Sequence, residues 1–161
     1  MAKLVYLGLG SNIGDRREYL KAAAERLSEV GVRVLRASPV YETEPVDHTA
    51  QGWFLNQVVE AETEMFPLQL LAATQRIERE LGRVRSVPKG PRTVDIDILF
   101  YGRAVVRSKR LEIPHPRMAE RRFVLAPLAD LAAELRHPAT GRMVREMLEA
   151  APEAAVRLLH S

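Results

Sequence analysis

Apolar and charged positions alternate most regularly over residues 94–100, where Val94, Ile96, Ile98 and Phe100 are interleaved with Asp95 and Asp97. A period of two predicts a strand with one buried face. Elsewhere the pattern is simpler. Residues 3–9 are a short apolar strand, and Gly8, Gly10 and Gly14 close it with a turn that exploits positive φ. Asp15 suits a helix N-cap. Leu20, Ala23 or Ala24, Leu27 and Val30 then recur at helical spacing up to Gly31. Residues 32–40 predict a second strand and 41–52 a long polar loop with Pro45, His48 and Gly52. Residues 54–63 predict a third strand, with Phe54, Asn56 and Val58 on one face. Pro67 opens a helix whose buried stripe is Leu70, Thr74, Ile77 and Leu81, ended by Gly82.

Residues 83–91 are a basic loop punctuated by proline and glycine, leading into the acidic strand. Residues 101–104 turn the chain, and Val105 and Val106 pair back. Residues 111–116 are extended, because a residue before proline avoids the helical region. Residues 118–122 form one helical turn, 124–131 an apolar stretch containing Pro127, and 143–150 a last amphipathic helix with Val144, Met147 and Leu148 on one side. The order β-α-β-β-α-β predicts an α+β protein, a ferredoxin-like α/β sandwich with an antiparallel sheet and a C-terminal extension. With 161 residues and no internal repeat or linker, a single domain over 1–161 is expected.

Composition narrows the function classes. Hydrophobic residues make up 47% and charged residues 28%, an ordinary globular balance. No apolar run reaches the roughly 18 residues that span a bilayer, and the N-terminus lacks a signal peptide's three regions. Cysteine is absent, which excludes disulfides and thiolate metal sites. A cytoplasmic enzyme or binding domain is expected. The net charge of +3 is modest, but basic residues gather in 76–92 and 117–122, on either side of the acidic strand. That distribution points to a phosphorylated ligand with a metal, or else to solvated surface.

Residues two apart on a strand project to one side, so the carboxylates of Asp95 and Asp97 start about 7 Å apart. They can turn toward one ion or hold two, and a hard divalent cation would relieve their repulsion. A solvated acidic strand face is the alternative. Arg92 lies just before the strand, where an anion would bridge it to a metal. Phe54 and Asn56 can stack on and hydrogen-bond to a flat heterocycle, or serve as a core ring and an edge amide. The glycines at 8, 10 and 14 do not match a dinucleotide fingerprint, because the third falls one residue late, and no Gly-Lys-Ser/Thr ending follows.

Several motifs then coincide in order: Gly-Ser-Asn at 10–12, Tyr-x-Thr-x-Pro at 41–45, Phe-Leu-Asn at 54–56, Arg-Ile-Glu with Leu-Gly-Arg at 76–83, Gly-Pro-Arg-Thr-Val-Asp-Ile-Asp at 90–97, and Ile-Pro-His-Pro-Arg-Met with Arg-x-Phe-Val-Leu-x-Pro-Leu at 113–128. Over nearly its whole length the chain resembles the 6-hydroxymethyl-7,8-dihydropterin pyrophosphokinase family of folate biosynthesis. The resemblance implies transfer of the β,γ-pyrophosphate of ATP to the pterin hydroxymethyl group, with release of AMP. It implies two Mg²⁺ ions on Asp95 and Asp97. It places Arg83, Arg92, His115 and Arg121 on the nucleotide or its phosphates, with Arg83, Arg92, Asp95 and Asp97 counted as the catalytic groups. Arg85 and Lys89 fall on a mobile catalytic loop, and Gln75, Glu78 and Ile98 near ATP. Thr43, Pro45 and Val46 fall on the pterin side. Phe54 and Phe123 would sandwich the pterin, Asn56 would read its polar edge, and Asp95 would also face it.

Phosphoryl-type transfer needs alignment and charge neutralisation more than covalent help, which suits these residues. No convincing general base stands out. Lys89 and Pro116 replace aromatics that some relatives carry, so phosphate contacts from those rings are not expected here. The partners implied are small molecules, without nucleic acid or membrane, and a monomer is expected over an oligomer. Two other classes compete. An RNA-binding module on the same kind of sandwich would stack bases on a central strand, where Asp95 and Asp97 stand instead. A metal-dependent phosphohydrolase would use the same Asp pair without a pterin.

Overall fold

The structure, a computed structural model, describes residues 1–44, 52–82 and 93–159. The chain opens with β1 (Lys3–Ser11), in which Val5, Leu7 and Leu9 are apolar and buried, and α1 (Arg16–Glu29). Asp15 caps α1, its carboxylate accepting from the Glu18 amide at 3.2 Å. Leu20, Ala23 and Leu27 are the stripe that α1 buries, while Val30 is its exposed C-cap residue. Gly31, at φ 95°, turns the chain into β2 (Val32–Ala37). After β3 (Tyr41–Thr43) and β4 (Phe54–Thr63) comes α2 (Pro67–Glu80), which buries Leu70, Thr74, Ile77 and Glu78. Then follow β5 (Asp95–Tyr101), the short pair β6 (Val106–Arg107) and β7 (Glu112–Ile113), and a 3-10 turn at Met118–Glu120. The chain ends in α3 (Arg122–Ala132), α4 (Val144–Ala150) and β8 (Val156–Leu158).

The main sheet is antiparallel at every pairing, in the order β5-β1-β4-β3-β8, with β2 and β3 following one another along the far side of β4. It has two covered faces. Leu7, Leu9, Leu55, Val59, Ile96 and Ile98 form one core with α1 and α2. Tyr6, Val58, Leu99, Phe100, Met118, Leu125, Leu128 and Met147 form the other, beneath α3 and α4. This is the ferredoxin-like α+β sandwich with its C-terminal extension. Among the described residues no helix is long and apolar enough to cross a membrane.

Three expectations change, and one stretch gains an element. Gly8 and Gly10 lie within β1 rather than in a turn, and of the three loop glycines only Gly14 has positive φ, at 71°. Tyr41–Thr43 is a strand rather than loop, because β4 and β8 supply its partners on both edges. The stretch over 124–131 is helical despite Pro127, which sits inside α3 and is buried there. Last, Phe100 does not join Val94, Ile96 and Ile98. Tyr6 pairs with Phe100 but Leu7 with Ile98, so Leu99 is an extra residue. The bulge carries Phe100 to the α3 side, with Leu99, and sends Tyr101 to the α1 side.

Candidate active site

The candidate site occupies the end of the α3-side face that the helices leave open. Its floor is β1, where the absence of side chains at Gly8 and Gly10 makes a trough. Gly10 is opposite Asn56 of β4 on one side and Asp95 of β5 on the other. Gly8 is likewise flanked by Val58 and Asp97. A Cβ added at Gly10 would lie 3.0 Å from Asn56 Oδ1 and 3.6 Å from Phe54 Cδ1, so the trough exists because Gly10 has none. Strand alternation puts Phe54, Asn56, Asp95 and Asp97 all on this face. Asn56 is oriented by its neighbour, its Nδ2 donating to Thr43 Oγ1 at 2.6 Å.

Asp95 and Asp97 are half-buried. Two carboxylates on one side of a strand offer hard oxygen donors but not a closed cage, and among the described residues no group of three His, Cys, Asp or Glu could hold an ion. That donor set fits Mg²⁺, which commonly binds one or two carboxylates and completes its shell with water and phosphate oxygens. Between the two aspartates, the Ile96 amide points away from β1 and donates to Glu78 Oε2 at 2.8 Å. Glu78 is only 4% exposed and so braces the acidic strand from α2. Gln75 is half-buried on the same helix, and Ile98 lies in the core under α1 and α2.

His115 follows a cis Ile113–Pro114 bond, and its amide donates to the Leu99 carbonyl at 3.2 Å. Its Nδ1 accepts from the Arg117 amide at 3.3 Å, which leaves Nε2 to carry the proton. Burial, and then repulsion from Arg121 and Arg117, pull its pKa down to about 4. His115 is therefore a neutral N–H donor at physiological pH.

Arg121 and Phe123 flank the N-terminus of α3, the guanidinium carbon 5.6 Å from the ring centroid. They line a cavity of about 250 Å³ together with Thr43 and Glu44. Its remaining wall includes Arg117, Arg122 and the tail from Pro152 to Val156. Arg121 thus shares a cavity with Thr43 and Phe123, on the side expected for the pterin. Arg122 fixes the tail, donating from Nη2 to the Ala151 carbonyl at 2.9 Å.

The structure therefore gathers Thr43, Phe54, Asn56, Asp95, Asp97, Arg121 and Phe123 on one side of the sheet, and it sets Glu78 and Ile98 behind the acidic strand. Pro45, Val46, Arg83, Arg85, Lys89 and Arg92 lie outside the described residues, as does the basic loop over 83–91. Sequence reasoning missed the tail wall and a polar cluster at the ends of β3 and β4. There Glu42 accepts from Arg157 Nε at 3.0 Å and from Arg16 Nη1 at 3.0 Å. Arg157, then Arg16, holds the Glu42 carboxyl below its ordinary pKa.

A family model for 7,8-dihydro-6-hydroxymethylpterin-pyrophosphokinase (HPPK) matches residues 6–133, a span that carries Thr43, Phe54, Asn56, Asp95, Asp97, His115, Arg121 and Phe123 but not the tail. The chain belongs to the HPPK family. The 2-amino-4-hydroxy-6-hydroxymethyldihydropteridine pyrophosphokinase of Pseudomonas aeruginosa is 44% identical over 162 residues, covering 99% of this chain and 98% of its own. That of Bacillus subtilis is 48% identical over 141 residues, 87% of this chain and 84% of its own. The folic acid synthesis protein fol1 of Schizosaccharomyces pombe is 46% identical over 160 residues. This chain covers 99% of itself in that match but only 22% of fol1, and 20% of the fol1 protein of Pneumocystis carinii. It thus spans about a fifth of those relatives. A crystal structure of Plasmodium falciparum HPPK-DHPS has the same fold, with a TM-score of 0.75 at 17% identity, over 93% of this chain and 45% of the other.

Proposed function

We propose that this chain transfers the β,γ-pyrophosphate of ATP to the hydroxymethyl group of 6-hydroxymethyl-7,8-dihydropterin, releasing AMP, in folate biosynthesis. The observation that carries the reading is the trough over Gly10, walled by a stacking ring and amide on β4 and by a carboxylate pair on β5. A flat heterocycle fits against Phe54, with Asn56 at its edge, and Phe123 closes the stack from α3. Its hydroxymethyl group then faces Asp95 and Asp97.

Mg²⁺ held by these two aspartates would neutralise the triphosphate and align it for in-line attack, and we assign two ions to them. The protein's own contribution is orientation. Asn56, fixed by Thr43, positions the acceptor. Glu78 fixes the strand that carries both carboxylates. His115, uncharged, offers its Nε2 proton to a phosphate oxygen, and Arg121 supplies positive charge beside the stack. Arg83, Arg92, Arg85 and Lys89 belong to the nucleotide side of the same proposal, with Gln75 and Ile98, and Pro45 and Val46 belong to the pterin side. The proposal includes a monomer acting in the cytoplasm on small molecules, without nucleic acid.

The test is AMP formation from ATP, Mg²⁺ and 6-hydroxymethyl-7,8-dihydropterin, with Asp97→Ala alongside. AMP should appear only when pterin is present, and the variant should lose about a thousandfold or more in rate. ATP left intact, or cleaved to ADP without pterin, would overturn the reading in favour of a binding module or a phosphohydrolase.

A further inference from the structure

The C-terminal strand touches the candidate site without contributing a group expected to contact substrate. β8 pairs with β3 in the register Leu158 to Tyr41, Arg157 to Glu42 and Val156 to Thr43. The Glu44 amide extends the pairing to the Ala155 carbonyl at 3.2 Å. Thr43 is therefore held between two strands, β8 on one edge and β4 on the other, and its hydroxyl orients Asn56. Residues Pro152 to Val156 also wall the cavity that Thr43 shares with Phe123.

Arg157 does more than occupy a place in this strand. Its Nη2 donates to Glu42 Oε1 at 2.5 Å, and its guanidinium carbon stands 4.6 Å from the centroid of the Trp53 ring. Trp53 immediately precedes Phe54. Arg16 approaches the same pair from α1, donating to Glu42 Oε2 at 3.0 Å and to the Trp53 carbonyl at 2.9 Å. Two arginines, one carboxylate and one indole thus tie the end of β3 to the start of β4. These are the strand ends from which Thr43 and Phe54 face the trough.

We infer that Arg157 is a positioning residue for the pterin: stacked on Trp53 and paired with Glu42, it sets the spacing of Thr43, Phe54 and Asn56. This rests on the pterin assignment of Phe54, Asn56 and Phe123 made above. A selective effect follows from the location. The clamp lies at the β3–β8 side of the sheet, whereas the acidic strand is at the opposite edge. Loosening the clamp weakens the grip on the acceptor and leaves the carboxylate pair undisturbed.

The decisive variant is Arg157→Ala. It does not strand a buried charge, because Arg16 still neutralises Glu42. Trp53 is the sole tryptophan of the chain, so its fluorescence reads the clamp directly. The expected result is easier acrylamide quenching of Trp53 and a pterin KM raised about five- to tenfold. The ATP KM and kcat stay within about twofold, and Arg157→Lys, which keeps a cation over the ring, recovers most of the loss. An ATP KM that climbs in step with the pterin KM would overturn the inference, as would altered quenching with an unchanged pterin KM or no change in either readout. Phe123→Ala is run in parallel. If it raises the pterin KM while Arg157→Ala does not, the clamp alone is wrong. If neither raises it, the pterin assignment itself fails.

Discussion

Two glycines on the same face of β1 should answer differently to the same methyl group. At Gly8 an added Cβ would meet the Leu99 side chain at 3.6 Å, an ordinary packing distance. At Gly10 it would stand 3.0 Å from Asn56 Oδ1, so the amide has to move. Neither glycine has positive φ, so alanine fits the backbone at both. Replacing a strand-interior glycine with alanine recovers about 0.5–1 kcal/mol of chain entropy. Gly8→Ala should therefore be stabilised by roughly that amount, and its methyl, packed on Leu99 and clear of Asn56, should raise the pterin KM less than Gly10→Ala does. Gly10→Ala gains the same entropy but strains the bond from Asn56 to Thr43, worth about 1 kcal/mol. Its stability should change by less than about 0.5 kcal/mol, while misplacing an amide meant for the pterin costs about 1–2 kcal/mol, or roughly five- to thirtyfold in KM. Urea unfolding and initial rates at varied pterin measure the two effects separately. Equal KM penalties at the two positions, or none at Gly10, would refute the trough as the pterin's seat.

Two further outcomes are expected. Glu78→Leu leaves the Ile96 amide without its acceptor in a buried setting and should cost about 2–3 kcal/mol in urea unfolding, whereas Glu78→Gln retains an acceptor oxygen and should cost less than half of that. His115 has a folded pKa of about 4 against an ordinary 6.5, so between these values the unfolded chain binds a proton that the folded chain refuses. Stability should fall as pH drops from 7 to 5, and His115→Asn should shrink that fall without abolishing it, since burial also lowers the pKa of His137. An undiminished fall in the variant would show that His115 is not desolvated.

The sandwich and the acidic strand were legible because their signals are local. Alternation over 94–100, the cap at Asp15 and the glycines at 31 and 82 each act within a few residues of where they stand. The failures came from interactions distant in sequence. Phe100 was assigned to the wrong face because a bulge at Leu99 depends on how β1 packs, and strand periodicity carries no mark of it. Tyr41–Thr43 and Val156–Leu158 are too short to show a pattern; the first is a strand because β4 and β8 flank it, and the second because β3 does. The site was read in the same way. Asp95, Asp97, Phe54 and Asn56 follow from motif and parity, whereas the glycine spacing alone places Gly8 and Gly10 in a turn. Their role appears only when β4 and β5 are laid on either side of them. Glu42 and Arg157 are 115 residues apart, and no composition or spacing argument joins them.

β5 has one further consequence, for how the molecule behaves in a crowd. It is an edge strand, apolar over Ile98–Tyr101 on both faces, and edges of that kind recruit strands from other molecules. Here two backbone groups of the strand are already engaged off the sheet, the Ile96 amide by Glu78 and the Leu99 carbonyl by the amide of His115. Two aspartates at its leading end add the charge that discourages stacking. The groups proposed to ready this strand for phosphate chemistry thus also work against its templating aggregates. Variants that neutralise them should be examined for self-association before a lost activity is ascribed to the reaction.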